Sequence, residues 1–226
     1  RLEAGVQGIC STHGAFAALK LDGSVVVWGN PDWGGSCRGK EDALGADVQE
    51  IYSTACAFAA LKSDGSVVTW GAHNYGGSSS RVKERLASGV KHVYSANFAF
   101  AAVKGDGSVV TWGRDDWGGD SSKVQDQLSS GVLHIASTPC AFAALKADGS
   151  VVSWGCSASG GDSKAVGQRL QRGVRRLFST AEAFAALDED GAVVTWGDGK
   201  AGGDSSRVRE ALSAGVRNVF CPDRAF

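Results

Sequence analysis

The sequence predicts a mainly β chain, a β-propeller-like array of five 42-residue units, each with three antiparallel strands plus a short helix. Three observations carry this reading. Trp28, Trp70, Trp112, Trp154 and Trp196 recur every 42 residues, each followed by Gly, and Phe16, Phe58, Phe100, Phe142 and Phe184 keep the same interval. Asp22-Gly23, Asp64-Gly65, Asp106-Gly107, Asp148-Gly149 and Asp190-Gly191 lie between each Phe and its Trp. The flanking segments are short and carry Val and aromatic residues, as strands do, and their alanines suggest close approach of neighbouring sheets. A small meander cannot bury its faces alone, so the units must stack, and a period near 40 favours radial blades. An open arc or a β/α solenoid is the alternative.

The third unit shows the elements in order. Val90–Ser95 has β-branched and aromatic residues and reads as the first strand. Ala99–Lys104 is apolar on both alternating faces, so it reads as a strand buried on both sides. Asp106-Gly107 supplies a tight reversal, with Gly taking the positive φ. Ser108–Trp112 then returns antiparallel to the second strand. After Gly118-Gly119, Asp120-Ser121-Ser122 offers helix N-caps, Val124 and Leu128 stand one turn apart, and Gly131 sits where a helix would end. In the first unit Lys40 replaces the Val, Gly39 interrupts and Asp47 replaces the terminating Gly, so an irregular connection is expected there.

Five units account for residues 6–47, 48–89, 90–131, 132–173 and 174–215 with no insertion, and 216–226 spells the first strand of a sixth. The whole, 1–226, reads as one repeat domain. Residues 6–16 and 216–226 would compete for one place in a closed five-blade ring, which points to further units or an open arc. Arg1 is no initiator, so the chain reads as a processed product or a fragment.

Composition narrows the function classes. The chain has 226 residues, 43% hydrophobic, with 23 Lys plus Arg against 24 Asp plus Glu. Near-neutrality argues against a nucleic-acid partner, and no apolar run is long enough for membrane insertion by a helix. Cys10, Cys37, Cys56, Cys140, Cys156 and Cys221 form no C-x-x-C pair and no metal-ligand spacing. They read as mostly buried thiols, with one or two disulfides in an oxidising compartment as the alternative. Localisation is left undetermined, with a soluble chain in a reducing compartment or organelle interior preferred.

Function is expected on one face. The Asp-Gly turns barely vary, whereas the loops after the first and third strands share the opposite face and differ from unit to unit. Trp33, Tyr75 and Trp117 align there, and with Asp32, His73, Phe98, Asp115 and Asp116 they form the candidate interaction face. The competing reading is structural: an aromatic before Gly-Gly covers the start of the helix. No catalytic, cofactor-binding or metal residues are assigned. Gly197-x-Gly199-x-x-Gly202 matches a dinucleotide fingerprint, but the other units lack it and no parallel crossover surrounds it. His92 and His134 fall on solvent-facing strand positions, and Asp188-Glu189-Asp190-Gly191 is too short for a calcium loop.

The phrase AFAALKSDGSVVTWG (57–71), followed by a short loop, GG and a return to GV, resembles repeats of the regulator of chromosome condensation family. That family's spelling runs roughly HSLAL-x-x-DG-x-V-x-x-WG-x-N-x-x-GQ-x-G. The short period is closer to that of the secreted β-lactamase inhibitor propeller, whose blades are three-stranded. The DSS-x-V-x-x-x-L segment departs from the family. The resemblance implies a propeller, usually of seven blades, and partner proteins. Exchange activity in the founder depends on an inserted hairpin, for which the strict spacing leaves no room. The expected function is therefore a non-catalytic protein–protein interaction scaffold, an accessory subunit or segment of a larger assembly, with no cofactor. The alternatives are an inhibitor or regulatory propeller, such as an exchange factor or enzyme inhibitor, and a carbohydrate-binding propeller.

Overall fold

The computed structural model describes residues 5–221. Among them, five three-stranded antiparallel sheets follow one another as a mainly β, propeller-like array. The strands are β1 (Val6–Ser11), β2 (Ala15–Lys20) and β3 (Val25–Gly29), then β4 (Val48–Ser53), β5 (Ala57–Lys62) and β6 (Val67–Gly71). They continue as β7 (Val90–Ser95), β8 (Ala99–Lys104) and β9 (Val109–Gly113), then β10 (Val132–Ser137), β11 (Ala141–Lys146) and β12 (Val151–Gly155). The last three are β13 (Val174–Ser179), β14 (Ala183–Asp188) and β15 (Val193–Gly197). The chain divides into two compact units, residues 1–105 with 110–115, and residues 106–109 with 116–226.

Each blade is built on its middle strand. β5, β8, β11 and β14 are buried along both faces, as their Ala-rich apolar runs predict. Phe and Trp face each other across the second and third strands: Phe58 pairs with Trp70 and Phe142 with Trp154, their rings stacked at centroid distances of 5.2 and 5.3 Å. The first strand carries a register shift near its start, at Val90/His92 and at Val132/His134. A bulge there turns two successive residues to solvent, so Lys91 and His92, like Leu133 and His134, are both exposed.

The joint between blades is the same each time. In the first compact unit Trp70 Nε1 donates to the Gly34 carbonyl and Trp112 Nε1 to that of Gly76, both at 3.1 Å. In the second, Trp154 Nε1 donates to Gly118 at 3.1 Å and Trp196 Nε1 to Gly160 at 3.0 Å. The partner Phe ring lies directly on that glycine. A Cβ on Gly118 would stand 2.6 Å from Phe142 Cδ2, and φ at Gly118 is +96°, so no other residue fits. Phe58, Phe100, Phe142 and Phe184 are fully buried, whereas Phe16 of the first blade is 44% exposed.

The expected short helix is made of 3₁₀ turns instead of an α-helix, at Ser80–Val82 and Glu84–Leu86, Ser122–Val124, Lys164–Leu170, and Ser206–Val208. The capping role holds: Asp120, Asp162 and Asp204 accept through Oδ1 from the backbone N–H of Ser122, Lys164 and Ser206 at 2.8, 2.9 and 2.9 Å. The turn delivers a leucine, buried at Leu86, Leu128 and Leu170 and half-buried at Leu212, and uses its carbonyl to tie the third strand, since Val109 N donates to Leu128 O at 2.9 Å. The connection at 37–45 holds turns without a 3₁₀ segment, the irregularity its sequence implied. Asp47 there has φ +64°, where Gly89, Gly131, Gly173 and Gly215 have +77°, +75°, +79° and +76°.

Val216–Cys221 forms no strand, and residues 222–226 of the expected sixth-unit strand lie outside the described residues. Val216 N still donates to Gly191 O at 2.9 Å, as Val174 N does to Gly149 O at 3.0 Å, and Val216 and Val219 pack on Leu187 and Val193. No helix among the described residues is long and apolar enough to cross a membrane.

Candidate functional site

One end of every blade is closed by a tight Asp-Gly turn packed against the backbone. At each Asp-Gly turn the Gly has a φ between +75° and +79°. A Cβ at Gly65 would stand 2.8 Å from Gly89 N, and one at Gly149 would stand 2.6 Å from Gly173 N. Asp22, Asp64, Asp106 and Asp148 accept from the backbone N–H two residues on, at 2.8–3.0 Å. At Asp22, Asp64 and Asp148 the Ser hydroxyl and amide hold the carboxyl below its ordinary value of 3.8. The fifth blade does the same job with Asp188, which accepts from Asp190 N and Ala192 N.

The opposite end is a fixed frame with variable inserts. Backbone bonds close it: Asn30 N to Gly14 O at 2.8 Å, and Ala72 N to Cys56 O, Arg114 N to Phe98 O, Cys156 N to Cys140 O and Asp198 N to Glu182 O, all at 2.9 Å. A threonine clamps the two loops together. Thr12, Thr54, Thr138 and Thr180 donate through Oγ1 to the carbonyls of Trp33, Tyr75, Ser159 and Ala201 at 3.0, 2.8, 3.2 and 3.0 Å. These threonines recur at 42-residue spacing, broken at Ala96, which is the signal for them in the sequence.

Within the first compact unit the frame brings several candidate residues together. Tyr75 and Phe98 pack ring to ring at 4.7 Å, tilted by 36°, and the Arg114 guanidinium lies 5.8 Å from the Phe98 centroid. Asp115 pairs with Arg81 at 3.6 Å, both side chains well exposed. His73 is exposed and its Nδ1 lies 3.4 Å from Asn74 Oδ1. Trp33 does something different: its ring covers Gly14, where a Cβ would stand 2.6 Å from Trp33 Cε3, while 38% of the residue is exposed. Asp32 is exposed, and its backbone N–H is capped by Asn30 Oδ1 at 2.9 Å. Asp116, exposed, and Trp117, half-buried, belong to the second compact unit. Arg114 and Arg81 are not among the candidate residues of the face, because only the fold sets them beside Phe98 and Asp115.

Tyr75 also packs on the core of the first compact unit, so this position serves structure as well as surface. In the fourth and fifth blades Ser159 and Ala201 take it and are buried. Gly197 ends β15, and Gly199 and Gly202 lie in the turn that follows, capped by Asp198 Oδ1, which accepts from Lys200 N.

No protein-family model matches the chain, and no curated protein does. Solved structures do. Prp20p of Saccharomyces cerevisiae is 18% identical with a TM-score of 0.53, covering 86% of this chain and 58% of its own. Human WBSCR16 is 18% identical with a TM-score of 0.53, covering 92% and 63%. The ectodomain of the Physcomitrella patens receptor kinase CR4 is 16% identical with a TM-score of 0.52, covering 85% and 52%. The chain thus spans less than two thirds of each of these structures. Three-stranded blades repeated every 42 residues, Trp70, Trp112, Trp154 and Trp196 each tied to the glycine 36 residues before it, and this similarity to Prp20p, the yeast RCC1, agree: the chain has the fold of an RCC1-like repeat propeller.

Proposed function

We propose that the chain is a non-catalytic protein–protein interaction scaffold, an accessory subunit or segment of a larger assembly, that docks through the variable face. The observation that carries this is the asymmetry of the blades. The Asp-Gly end repeats the same bonds, whereas the same backbone frame at the other end holds Gly14 with Asn30, Cys56 with Ala72, Phe98 with Arg114, Cys140 with Cys156 and Glu182 with Asp198. A frame kept constant under changing side chains suits recognition and not a single chemistry. Tyr75, Phe98 and Arg114 give an aromatic anchor with a cation beside it, the make-up of an interface hot spot. Prp20p, which shares the fold, is described by its binding to Gsp1p and histones.

Affinity capture with three baits tests the reading: the unaltered chain, a variable-face variant (His73→Ala with Arg114→Glu), and an Asp-Gly-face variant (Lys62→Glu with Lys104→Glu). Specific partners are expected to be lost with the first variant and kept with the second. The opposite pattern, or partners kept by both, overturns the assignment of the face.

A further inference from the structure

We propose that Cys140 and Cys156 are an oxidisable thiol pair that closes into a disulfide across the variable end of the fourth blade. Cys140 immediately precedes β11 and Cys156 immediately follows β12, whose ladder begins at Ala141 opposite Gly155. The two cysteines are therefore the next pair beyond that ladder, joined by the Cys156 N to Cys140 O bond at 2.9 Å. No disulfide joins them in the structure, and both are half-exposed.

The other blades show what this backbone does with two side chains. In the first, where the same bond measures 2.8 Å, a Cβ built on Gly14 stands 3.5 Å from Asn30 Cβ. That separation falls in the range of about 3.5–4.5 Å over which disulfides form. In the third, the equivalent residues Phe98 and Arg114 already lean on each other. Among the five blades only the fourth carries cysteine at both positions; the second pairs Cys56 with Ala72.

The chemistry is thiol–disulfide exchange with a low-molecular-weight disulfide such as glutathione disulfide. The thiolate of one cysteine attacks it, forming a mixed disulfide and expelling one glutathione thiolate. The thiolate of the second cysteine attacks the protein sulfur of that mixed disulfide and expels the other glutathione thiolate. The Cys140–Cys156 S–S bond forms, the two protein thiol protons end on two glutathione thiols, and one oxidant disulfide is reduced. The product staples the loops after β10 and β12 and removes two thiols from the surface. This inference stands independently of the proposed docking role.

The test treats the full chain with excess glutathione disulfide under native conditions, alkylates the remaining thiols and maps the peptides. The expected result is a Cys140–Cys156 cross-linked peptide with no glutathione on either residue, whatever mixed disulfides form at the other thiols, and recovery of both thiols on dithiothreitol. Cys140→Ser and Cys156→Ser should each abolish the cross-link while the remaining cysteine is glutathionylated, with an unchanged circular dichroism spectrum. Wild-type chain in which Cys140 and Cys156 are alkylated, are separately glutathionylated, or pair with other cysteines overturns the proposal.

Discussion

Phe142 and Phe16 occupy the same place in two blades, and truncating each should cost very different amounts. Phe142 has no exposed surface, stacks on Trp154 at 5.3 Å and presses on Gly118. Phe142→Ala leaves a cavity closed on all sides, so it should cost about 3–5 kcal/mol. Phe16 stacks on Trp28 at 5.2 Å, yet 44% of it is exposed. Only about half of its transfer energy is available to lose, and water fills the space, so Phe16→Ala should cost roughly 1–2 kcal/mol. For a chain of this size each kcal/mol lowers the melting temperature by about 2–4 °C. The expected shifts are therefore roughly 6–20 °C for Phe142→Ala and 2–8 °C for Phe16→Ala. Urea midpoints at matched protein concentration provide the assay, with the denaturant slope checked because repeat arrays can lose cooperativity. Equal losses for the two variants would refute the account in which a blade's Phe–Trp pair is sealed by the Gly-Gly turn of the blade before it.

Three further outcomes follow from the same geometry. Asp47→Gly, which places glycine at a φ of +64°, should raise stability by roughly 0.5–1 kcal/mol, read as a higher urea midpoint. Gly118→Ala, whose new methyl would meet the Phe142 ring, should cost more than about 2 kcal/mol, whereas Gly167→Ala, with nothing within 4 Å, should be neutral within about 0.5 kcal/mol. The carboxyls of Asp22, Asp64 and Asp148 are held below 3.8 by their Ser partners, so their stabilisation is present above the unfolded pKa and is lost as pH falls through the lower folded values. Replacing all three by Asn should flatten the fall in melting temperature below about pH 4, and an unchanged acid limb would count against these bonds.

The strands were legible because each residue that fixes them is locally necessary. The Asp-Gly reversal, the Phe–Trp pair and the doubly apolar Ala run each demand one geometry, and the third strand lies within one residue of its expected place. The final segment is short and of 3₁₀ type for a physical reason. Asp120 to Leu128 offers N-caps and apolar residues one turn apart, but so few residues cannot nucleate an α-helix by themselves. Val124 N instead bonds back three residues to Ser121 O, and the Leu128 carbonyl turns to the third strand. The candidate face was legible as positions and not as contacts. Phe98 meets Tyr75 of the preceding repeat and Arg114 of its own, and neither distance along the chain announces that the rings and the guanidinium share one spot.

The tryptophan-to-glycine bond that spans 36 residues has a consequence for how such a chain changes over generations. Because every joint uses the same donor and the same acceptor, gaining or losing one whole 42-residue period by recombination leaves each surviving joint with both of its parts. Copy number can then drift without compensating mutations elsewhere, while selection works separately on the few loop side chains each copy displays.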